Sequence, residues 1–518
     1  MTFEEVLLQI SVRRAALAAL ASLAVVAAPA AAAPNNNNSS KLTRAVTLEG
    51  VRTHQAVWQQ IADAAGGNRF AGLEGYDMSA QYVVDTLEAA GYSPELHEFE
   101  YEASYEVSPS RLSQVSPAPA AYVNGVDFDL MDFSGGGSPE GELVPVSSLA
   151  CTPEEITEDV TGRIALISRG ACTFRAKAES ASAKGAIGVL VYNNVDGLLL
   201  GTLGEGPAPS APVFGLTREL GLALVAAAGE GPVVMSMFAE VARETLTTHN
   251  VLADLEGRND DNVIVVGAHL DSVDTGPGIN DNGSGSGAIL ETAVQMAKVK
   301  PWNTVRFAWW SAEESGLIGS NRYVQKLVEE GEIDDIALNL NFDMVGSPNY
   351  GMFVYDGDNS AFPVGTGSAE GPPGSDVIES VFYGFFEQIG MPAEPTPFSG
   401  RSDYGPFIAQ GIPAGGLFTG AEQPKTPEQV IKWGGTAGIA YDFCYHASCD
   451  TFETSAAGNE ALDANSDAIA HTTITFAQST ELINEVRGKG NFKRPRQGAG
   501  DGAGTGSSGV HEHWRDAG

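Results

Sequence analysis

Six acidic or histidine residues in the second half of the chain stand at spacings that suit metal-assisted chemistry, and one more histidine would complete the set. The six are His269, Asp271, Asp281, Glu313, Glu314 and Asp343. Imidazole nitrogens and carboxylate oxygens form a ligand set suited to zinc, and a central carboxylate can bridge two ions. Two ions about 4 Å apart can share a hydroxide and bind a carbonyl oxygen. The residue types therefore predict a site for divalent cations that activates water.

Apolar runs precede most of these residues and predict the elements that position them. VIVV ends three residues before His269, VRFAWW leads into Glu313, and IALNLNF leads into Asp343. Because the carboxyl ends of parallel strands meet at one edge of an open α/β sheet, we expect these side chains to lie close together. Asp281 stands in a glycine-rich loop before the predicted helix GSGSGAILETAVQMAKV. The glycines permit the tight turn that returns this aspartate to the histidine.

Several of these residues also have an ordinary structural interpretation. Asp271 is predicted to orient the imidazole of His269 through its second nitrogen, and a turn or helix cap is the alternative. Glu313 and Glu314 by themselves suit the first turn of a helix, where acidic side chains are favoured. Asp343 by itself suits a turn at a strand end. The residues leave open which of the two glutamates is a ligand and which is a base.

The overall composition excludes one class of partner. The chain has 518 residues, and its 66 acidic and 29 basic residues give a formal charge of −37. Nucleic-acid binding needs clustered Lys and Arg, so this composition predicts no nucleic-acid partner. The length predicts two domains, or one domain with a large insertion.

Residues 1–33 are predicted to be a secretory signal peptide. Arg13 and Arg14 precede an apolar run over residues 15–28, and small residues follow it. That order of charged, apolar and small residues is typical of a cleaved signal, with a single uncleaved membrane anchor as the alternative. We expect a secreted protein that has no membrane association after signal removal.

The cysteine pattern agrees with export. Cys151 and Cys172 form one local pair, and Cys444 and Cys449 form the other. An even number of cysteines in an exported protein favours two disulfides. The alternative, a zinc site, is disfavoured because the spacing does not form two CxxC motifs.

The pattern along the chain predicts a unit inserted into the main domain. Residues 42–107 form the N-terminal part of the main domain, with a helical pattern that extends to about Tyr105 and is followed by the connection SPSRLSQVSPAPAAY. Short β-like segments predict a small α/β unit over residues 108–242. Longer alternation of strands and helices over residues 243–487 predicts a doubly wound sheet. The Gly-rich residues 488–518 are predicted to be a disordered tail.

Five motifs resemble one known family. HLDSVDTGPGINDNGSGSGAILE, SAEESGLIGS, NFDMVG, SGRSDYGPF and CYHASCD occur in this order. Together they resemble the secreted bacterial double-zinc aminopeptidases of the aminopeptidase Y and leucine aminopeptidase type. GRIALISRGACTFRAKAESASAKGAIGVLVYNN resembles the protease-associated (PA) domain that is inserted in several members. The resemblance implies an α/β fold, a doubly wound mixed sheet of the zinc-peptidase, phosphorylase/hydrolase-like type, with a smaller inserted α/β PA domain.

The resemblance also implies a ligand set for two zinc ions. One ion is expected on His269, Asp281 and His446. The other is expected on Asp281, Glu314 and Asp343. The bridging role thus falls to Asp281, which the glycine-rich loop carries.

Further residues receive roles from the resemblance alone. Glu313 is implied to be the general base that accepts a proton from a metal-bound water. Tyr445 is implied to donate a hydrogen bond to the oxyanion, with a packed aromatic as the alternative. Arg401 matches a position near the bound substrate. Asp463 and Asp467 match carboxylates that bind calcium in some members, and a solvated helix face explains them equally well.

The expected function is removal of the first residue of peptides, with peptide or protein N-termini as the substrate. A preference for large apolar first residues is expected from Phe398, Phe407, Leu417 and Phe418, which lie near the substrate-side motifs and whose alternative is the core. A carboxypeptidase or glutaminyl cyclase on the same metal shell is the first alternative. A peptide-binding protein with an inert metal centre is the second.

Overall fold

The computed structural model of the protein describes residues 35–484, apart from residues 205, 206 and 208. The predicted signal peptide (1–33) and the predicted tail (488–518) lie outside these residues. The chain is a mixed α/β protein whose strands, in chain order, are β1 (Glu95–Ser116), β2 (Ala120–Ala121), β3 (Phe128–Leu130), β4 (Glu140–Pro145), β5 (Ile164–Ser168), β6 (Gly188–Tyr192), β7 (Val213–Leu216), β8 (Val234–Leu255), β9 (Asn259–His269), β10 (Asn303–Trp310), β11 (Ile336–Phe342), β12 (Phe353–Tyr355), β13 (Glu394–Thr396) and β14 (Ala414–Phe418).

The helices pack on both faces of these strands. In chain order they are α1 (Ser39–Leu42), α2 (Leu48–Ala64), α3 (Glu74–Ala90), α4 (Phe174–Ala183), α5 (Arg218–Glu230), α6 (Gly283–Met296), α7 (Ile318–Glu330), α8 (Ser375–Ile389), α9 (Gly405–Ala409), α10 (Pro427–Trp433), α11 (Phe452–Ser455), α12 (Asn459–Gln478) and α13 (Glu481–Asn484). Short 3-10 turns occur at Pro153–Glu155, Ile333–Asp335 and Ala456–Gly458. Within the described residues, no helix combines the length and apolar character that crossing a lipid bilayer requires.

The main sheet has the strand order β13-β12-β14-β11-β9-β10-β8. Its centre is parallel, because β9 pairs in parallel with β10 and β11, and β11 pairs in parallel with β14. Ile264 and Val266 of β9 pack into the large core on one face, beneath α6 and α12, whereas Val263 and Val265 pack into the core beneath α7 on the other. Burial on both faces explains why the VIVV run is apolar without alternation. The predicted doubly wound mixed sheet is confirmed.

The glycines of the GSGSG segment allow α6 to lie directly against the end of β11. A side chain at Gly285 would collide with the carbonyl oxygen of Phe342, the residue before Asp343. Gly278 adopts a φ of +62°, a left-handed conformation that favours glycine, in the turn before Asp281. Close packing and a tight turn therefore bring the loop of Asp281 to the end of the neighbouring strand.

A long antiparallel ribbon connects the main sheet to the inserted unit. β1 and β8 pair from Glu95 opposite Leu252 to Ser116 opposite Val234, with register shifts around Ser108. At its far end β8 pairs with β4, which continues into the parallel set β4-β5-β6-β7 with β3 at the edge. The predicted boundaries at 108 and 242 fall inside these two strands. Continuous strands, not a flexible linker, therefore join the two units.

Two expectations for the first quarter of the chain are wrong. The helical pattern ends at Ala90, with Gly91 as a left-handed cap, and β1 begins at Glu95. The first part of the predicted connection, residues 108–116, is the second half of β1. Pairing with β8 supplies the hydrogen bonds that make this polar, Ser-rich segment a strand, so tertiary context overrides its composition.

A carboxyl group links the ribbon to the loop between His269 and Asp281. Asp274 accepts a hydrogen bond from the backbone N–H of Glu106, and its own carbonyl oxygen accepts one from Asn68 Nδ2 at 2.7 Å. Burial raises the pKa of Asp274 to about 7, from 3.8, and the charges of Glu106 and Asp132 add to the rise. Protonation of the Asp274 carboxyl group therefore stabilises the folded state.

Replacing Asp274 with Asn should flatten the pH dependence of stability. An acid with a raised folded-state pKa stabilises fully below its unfolded pKa, and that contribution is lost as the pH rises through the folded value. Between pH 4 and 8 we expect this partly exposed group to lower the free energy of unfolding of the parent by on the order of 1–2 kcal/mol. The variant Asp274→Asn should not show this decrease. Urea unfolding across this range with a chelator present measures it. The exposed Asp196→Asn is the control, and equal slopes in both variants would contradict the prediction.

Candidate active site

The structure brings all five predicted ligands together at the carboxyl edge of the main sheet. His269 ends β9, Asp343 follows β11, and Glu314 lies in the turn after β10. Asp281 lies in the loop before α6, and His446 lies between β14 and α11. Residues separated by up to 177 positions in the chain thus share one buried cluster.

The distances divide the cluster into two halves around Asp281. His269 Nε2 lies 3.3 Å from Asp281 Oδ1 and 3.2 Å from Asp343 Oδ1. His446 Nε2 lies 3.3 Å from Asp281 Oδ2 and 2.9 Å from Glu314 Oε2. Each oxygen of Asp281 therefore faces a different histidine, which is the arrangement of a bridging carboxylate.

The donor sets fit divalent metal ions. The ligand atoms of His269, Asp281 and Asp343 all lie within 4.8 Å of one another, as do those of Asp281, Glu314 and His446. One nitrogen and two carboxylates in each triad match the ligands of catalytic zinc, with positions left for water and substrate. The groups can therefore hold two ions that share Asp281.

The distances favour a partition that differs from the one the resemblance implied. The resemblance placed both histidines on one ion, whereas the distances pair His269 with Asp343 and His446 with Glu314. His269 ends the central strand β9 and faces Asp281 Oδ1, whereas His446 lies on a separate loop and faces Asp281 Oδ2. The ligand set is unchanged, but each half contains one imidazole.

Sequence comparisons identify the family. Residues 250–473 match the model of peptidase family M28, and residues 139–224 match the PA domain. The aminopeptidase of Pseudomonas aeruginosa is 44% identical over 441 residues, which is 82% of this chain and 80% of that protein. Leucine aminopeptidase 2 of Trichophyton equinum is 41% identical over 459 residues, 88% of each protein. The chain belongs to peptidase family M28.

Solved structures agree with this assignment. An aminopeptidase from Aneurinibacillus sp. strain AM-1 superimposes with a TM-score of 0.64 at 27% identity, covering 86% of this chain and 97% of that chain. A zinc aminopeptidase from Bacillus subtilis shares the fold, with a TM-score of 0.58 at 24% identity over 86% of this chain and 99% of its own. The protein is an M28 metallo-aminopeptidase, a hydrolase with a PA domain.

Glu313 lies beside the cluster of predicted ligands. Its Oε2 is 3.9 Å from His269 Nε2, and the residue is 7% exposed. Burial raises the pKa of Glu313 well above its usual value, with His269 opposing the rise and Asp343 adding to it. Burial lowers the pKa of His269, but the charges of Asp343 and Glu313 raise it by more. The carboxylates and imidazoles of the cluster therefore strongly shift one another's pKa values.

Asp271 holds the turn that carries the two glutamates. Its Oδ1 accepts the backbone N–H of Glu313 and its Oδ2 accepts that of Glu314, both at 3.2 Å. The carboxylate is 3.7 Å from His269 Nδ1, whereas the carbonyl oxygen of Asp271 is 3.2 Å from the same nitrogen. Asp271 therefore contacts the imidazole through both its carbonyl oxygen and its carboxylate, and the backbone of the two glutamates through its carboxylate.

Several polar residues that the sequence reasoning missed support the site. Arg69 is fully buried, and its guanidinium donates to the carbonyl oxygens of Leu270, Pro277 and Gly278. Burial lowers the pKa of Arg69 to about 10, and the charge of Asp271 opposes part of this decrease. The arginine fixes the loop between His269 and Asp281, and the NRF segment that contains it gave no sign of this role.

Asp343 also has a hydrogen-bonding partner in the SGRSDYGPF motif. Ser402 Oγ donates to Asp343 Oδ2 at 2.6 Å and accepts from Asn341 Nδ2 at 2.8 Å. The resemblance pointed to Arg401 in this motif, yet its serine makes the contact with a ligand. Arg401 Nη1 lies 3.5 Å from Glu422 Oε1 at the exposed side of the site.

The backbone adopts unusual conformations next to the ligands. Ala312, Met344 and His446 have φ values of 55°, 50° and 55°, in the left-handed region that non-glycine residues rarely adopt. They adjoin or include Glu313, Asp343 and a ligand histidine. Such strain persists only where the surrounding contacts enforce it, and it is concentrated at functional sites.

The His446 loop is closed by a disulfide. Both predicted bridges are confirmed, Cys444–Cys449 around the histidine and Cys151–Cys172 in the PA unit. Tyr445 stacks on His446 with ring centroids 3.8 Å apart. Burial raises the pKa of Tyr445, so its hydroxyl keeps its proton.

Three of the four residues expected to set substrate preference belong to the core. Phe398, Phe407 and Leu417 are fully buried, and the partly buried Phe418 packs against the clusters that contain Phe398 and Leu417. Asp463 and Asp467 lie one turn apart on α12 and, among the described residues, join no group of three potential metal ligands.

Removing the bridge around His446 should weaken metal binding. The double variant Cys444→Ser/Cys449→Ser frees the loop of residues 445–448, so we expect a loss of about tenfold or more in affinity for added zinc. Competition with a chromophoric chelator measures this affinity. The variant Cys151→Ser/Cys172→Ser removes the bridge in the PA unit and should keep the parental affinity. Equal affinities in the two double variants would contradict the prediction.

Proposed function

We propose that this M28 aminopeptidase is a secreted co-catalytic enzyme that holds two zinc ions and removes the first residue of peptides. The observation that carries the proposal is the placement of Asp281, whose two oxygens face two separate histidine-carboxylate pairs. His269 with Asp343 would hold one ion, and His446 with Glu314 would hold the other. The nitrogen and oxygen donor set favours zinc over the harder cations, which prefer oxygen alone.

The metal ions, when bound, lower the pKa of water and polarise the carbonyl group of the scissile bond. Glu313 is the general base in this proposal. Its buried carboxylate lies next to the cluster and can form a third group with His269 and Glu314, but it belongs to neither of the two triads that contain Asp281. It takes a proton from the attacking water at Oε2 and passes it to the leaving amine.

Tyr445 and Arg401 complete the proposed machinery. Tyr445 remains protonated and lies against His446, so its hydroxyl can donate a hydrogen bond to the oxyanion of the tetrahedral intermediate. Arg401 pairs with Glu422 Oε1 at 3.5 Å and keeps a positive charge at the rim of the site. Asp271 acts through the backbone of Glu313 and is a positioning residue.

The acidic character of the cluster supports recognition of a free N-terminal amine. Glu313 and Asp343 present carboxylates beside the scissile position, and an ammonium group can pair with them. A blocked amine carries no charge and adds bulk at the same place. The site therefore favours removal of the first residue over cleavage inside a chain, and relatives named leucine aminopeptidase 2 make leucine the first side chain to test.

Two features support export: the composition of residues 1–33 and the two disulfides. Residues 1–33 have the composition of a signal peptide, and both disulfides are of the kind that persists in oxidising compartments. In this proposal residues 42–107 and 243–487 form the peptidase domain and residues 108–242 form the inserted PA unit.

Replacing Glu313 with Gln should separate catalysis from metal binding. The amide keeps the shape of the side chain but cannot accept the proton, so kcat for leucine p-nitroanilide should fall about 100-fold or more. Zinc content, measured by elemental analysis, should stay at two ions per chain. The exposed Glu329→Gln on α7 is the matched control with parental kcat. A Glu313→Gln variant with parental turnover would disprove the role of the base.

Blocking the substrate amine should abolish turnover. We expect free leucyl peptides to be cleaved at their first bond and N-acetylated peptides of the same sequence to resist. Mass spectrometry of the products measures both, and a chelator should stop the reaction until zinc is restored. Equal cleavage of blocked peptides, release of C-terminal residues or cyclisation of N-terminal glutamine would favour the alternative enzymes. A chain that binds zinc without any turnover would favour a binding protein.

A further inference from the structure

Asn280 is a buried amide next to the shared ligand Asp281. Its exposed fraction is 0%. Its Nδ2 donates to Asp442 Oδ2 at 2.6 Å and to Ser347 Oγ at 3.2 Å. Its Oδ1 accepts the backbone N–H of Gly346 at 3.2 Å. The amide therefore uses both donor protons and its acceptor oxygen.

The side-chain contacts of Asn280 reach two other ligand-bearing segments. Gly346 and Ser347 closely follow the ligand Asp343 in the chain. Asp442 accepts the backbone N–H of Cys444 at 2.8 Å, at the start of the disulfide loop that carries the second histidine. The amide of Asn280 thus connects the segments that carry three predicted ligands: Asp343, His446 and Asp281, the last being the next residue in the chain.

The backbone at this position is fixed by a second carboxylate. Asp450 Oδ1 accepts the N–H of Asn280 at 2.8 Å, and Oδ2 accepts the N–H of Asp281 at 2.9 Å. Asp450 directly follows Cys449, the other end of the disulfide loop. Both Asp442 and Asp450 are nearly fully buried. The loop of His446 is therefore hydrogen-bonded to the Asp281 segment at both of its ends.

We propose that Asn280 is a positioning residue that fixes the spacing between the two halves of the metal centre. Its amide holds the Asp343 segment through Gly346 and Ser347, and the His446 segment through Asp442. This inference rests on the proposed function, because that function requires both halves to bind ions together. The hydrogen bonds of the Asn280 side chain go to Ser347, Asp442 and Gly346, so it acts through the loops that carry the predicted ligands.

Only an amide satisfies all of these partners. The substitution Asn280→Asp would place a second carboxylate against Asp442 Oδ2, where the present hydrogen bond is 2.6 Å long. An apolar residue would leave the Gly346 N–H and one oxygen of Asp442 buried without this partner, which is costly. The polarity of the pair can nevertheless be exchanged. If both residues were replaced together, a carboxylate at position 280 could accept a hydrogen bond from an amide at position 442.

Four variants of the full-length protein test the proposal: Asn280→Asp, Asp442→Asn, the double variant Asn280→Asp/Asp442→Asn, and the control Asn262→Asp. The double variant keeps the net charge of the parent and restores a hydrogen bond between positions 280 and 442. Asn262 is an equally buried amide at the opposite end of β9, where Nδ2 donates to Thr480 Oγ1 at 2.9 Å and Oδ1 accepts from Asn484 Nδ2 at 3.2 Å. It lies seven residues along the strand from His269, about 23 Å away.

The readouts are zinc affinity, the absorption spectrum of the cobalt-substituted protein, and kcat and KM for leucine p-nitroanilide. Disturbing outer hydrogen bonds of a metal site typically costs about 10- to 100-fold in affinity or activity. We expect Asn280→Asp and Asp442→Asn to lose at least about tenfold in zinc affinity, to change the cobalt spectrum and to lower kcat more than they raise KM. The double variant should return to within about threefold of the parent. Asn262→Asp should lower the melting temperature and leave zinc affinity and spectrum unchanged.

Two results would overturn the proposal. One is parental zinc affinity and cobalt spectrum in both single variants. The other is a double variant no better than Asp442→Asn, a comparison that holds even where Asn280→Asp does not fold. A parent protein that binds fewer than two zinc ions would instead contradict the proposed function. In that case the ratio of affinities between variants and parent still measures the effect of Asn280 on the ion that binds.

Discussion

Mutual repulsion among buried carboxylates is the constraint on which the active site depends. Asp281, Glu313, Glu314 and Asp343 lie around two imidazoles, and their side chains are almost fully removed from water. Like charges at such short range in a low-dielectric site oppose one another strongly. Imidazoles, hydrogen-bond donors and cations must therefore balance them, and the supporting loops must resist separation.

A second layer of polar groups supplies that resistance. Asp271, Asp442 and Asp450 each accept backbone N–H groups from the segments that carry ligands or the proposed base. Arg69 binds three carbonyl oxygens of the loop that precedes Asp281. Leaving these buried N–H and carbonyl groups without partners would be costly, so each contact holds its loop firmly. The left-handed backbone beside the ligands is tolerated because these contacts fix the turns on both sides.

The sheet supplies the frame to which these loops attach. Parallel central strands end at one edge, so His269 and Asp343 lie close together as a direct consequence of the pairing of β9 with β11. The ribbon of β1 and β8 extends the same hydrogen-bonded sheet into the PA unit. Because these strands continue from one unit into the other, strand pairing sets where the PA unit stands relative to the metal cluster. The contact between Asp274 and Glu106 adds a direct link between the ribbon and the metal loop.

The sequence alone indicated the candidate ligand residues, and it determined the strands that precede them, both disulfides and the presence of an inserted α/β unit. These features follow from local patterns: an apolar run, a glycine-rich turn, paired cysteines and motifs in a fixed order. The tertiary structure decided which histidine pairs with which carboxylate, since that depends on the directions from which distant loops approach Asp281. It also decided that residues 95–116 form a strand, because their hydrogen bonds come from β8, which is distant in the chain. Asn280 and Asp450 lie inside recognised motifs, but their roles depend on contacts across 162 and 169 positions, which no local pattern encodes.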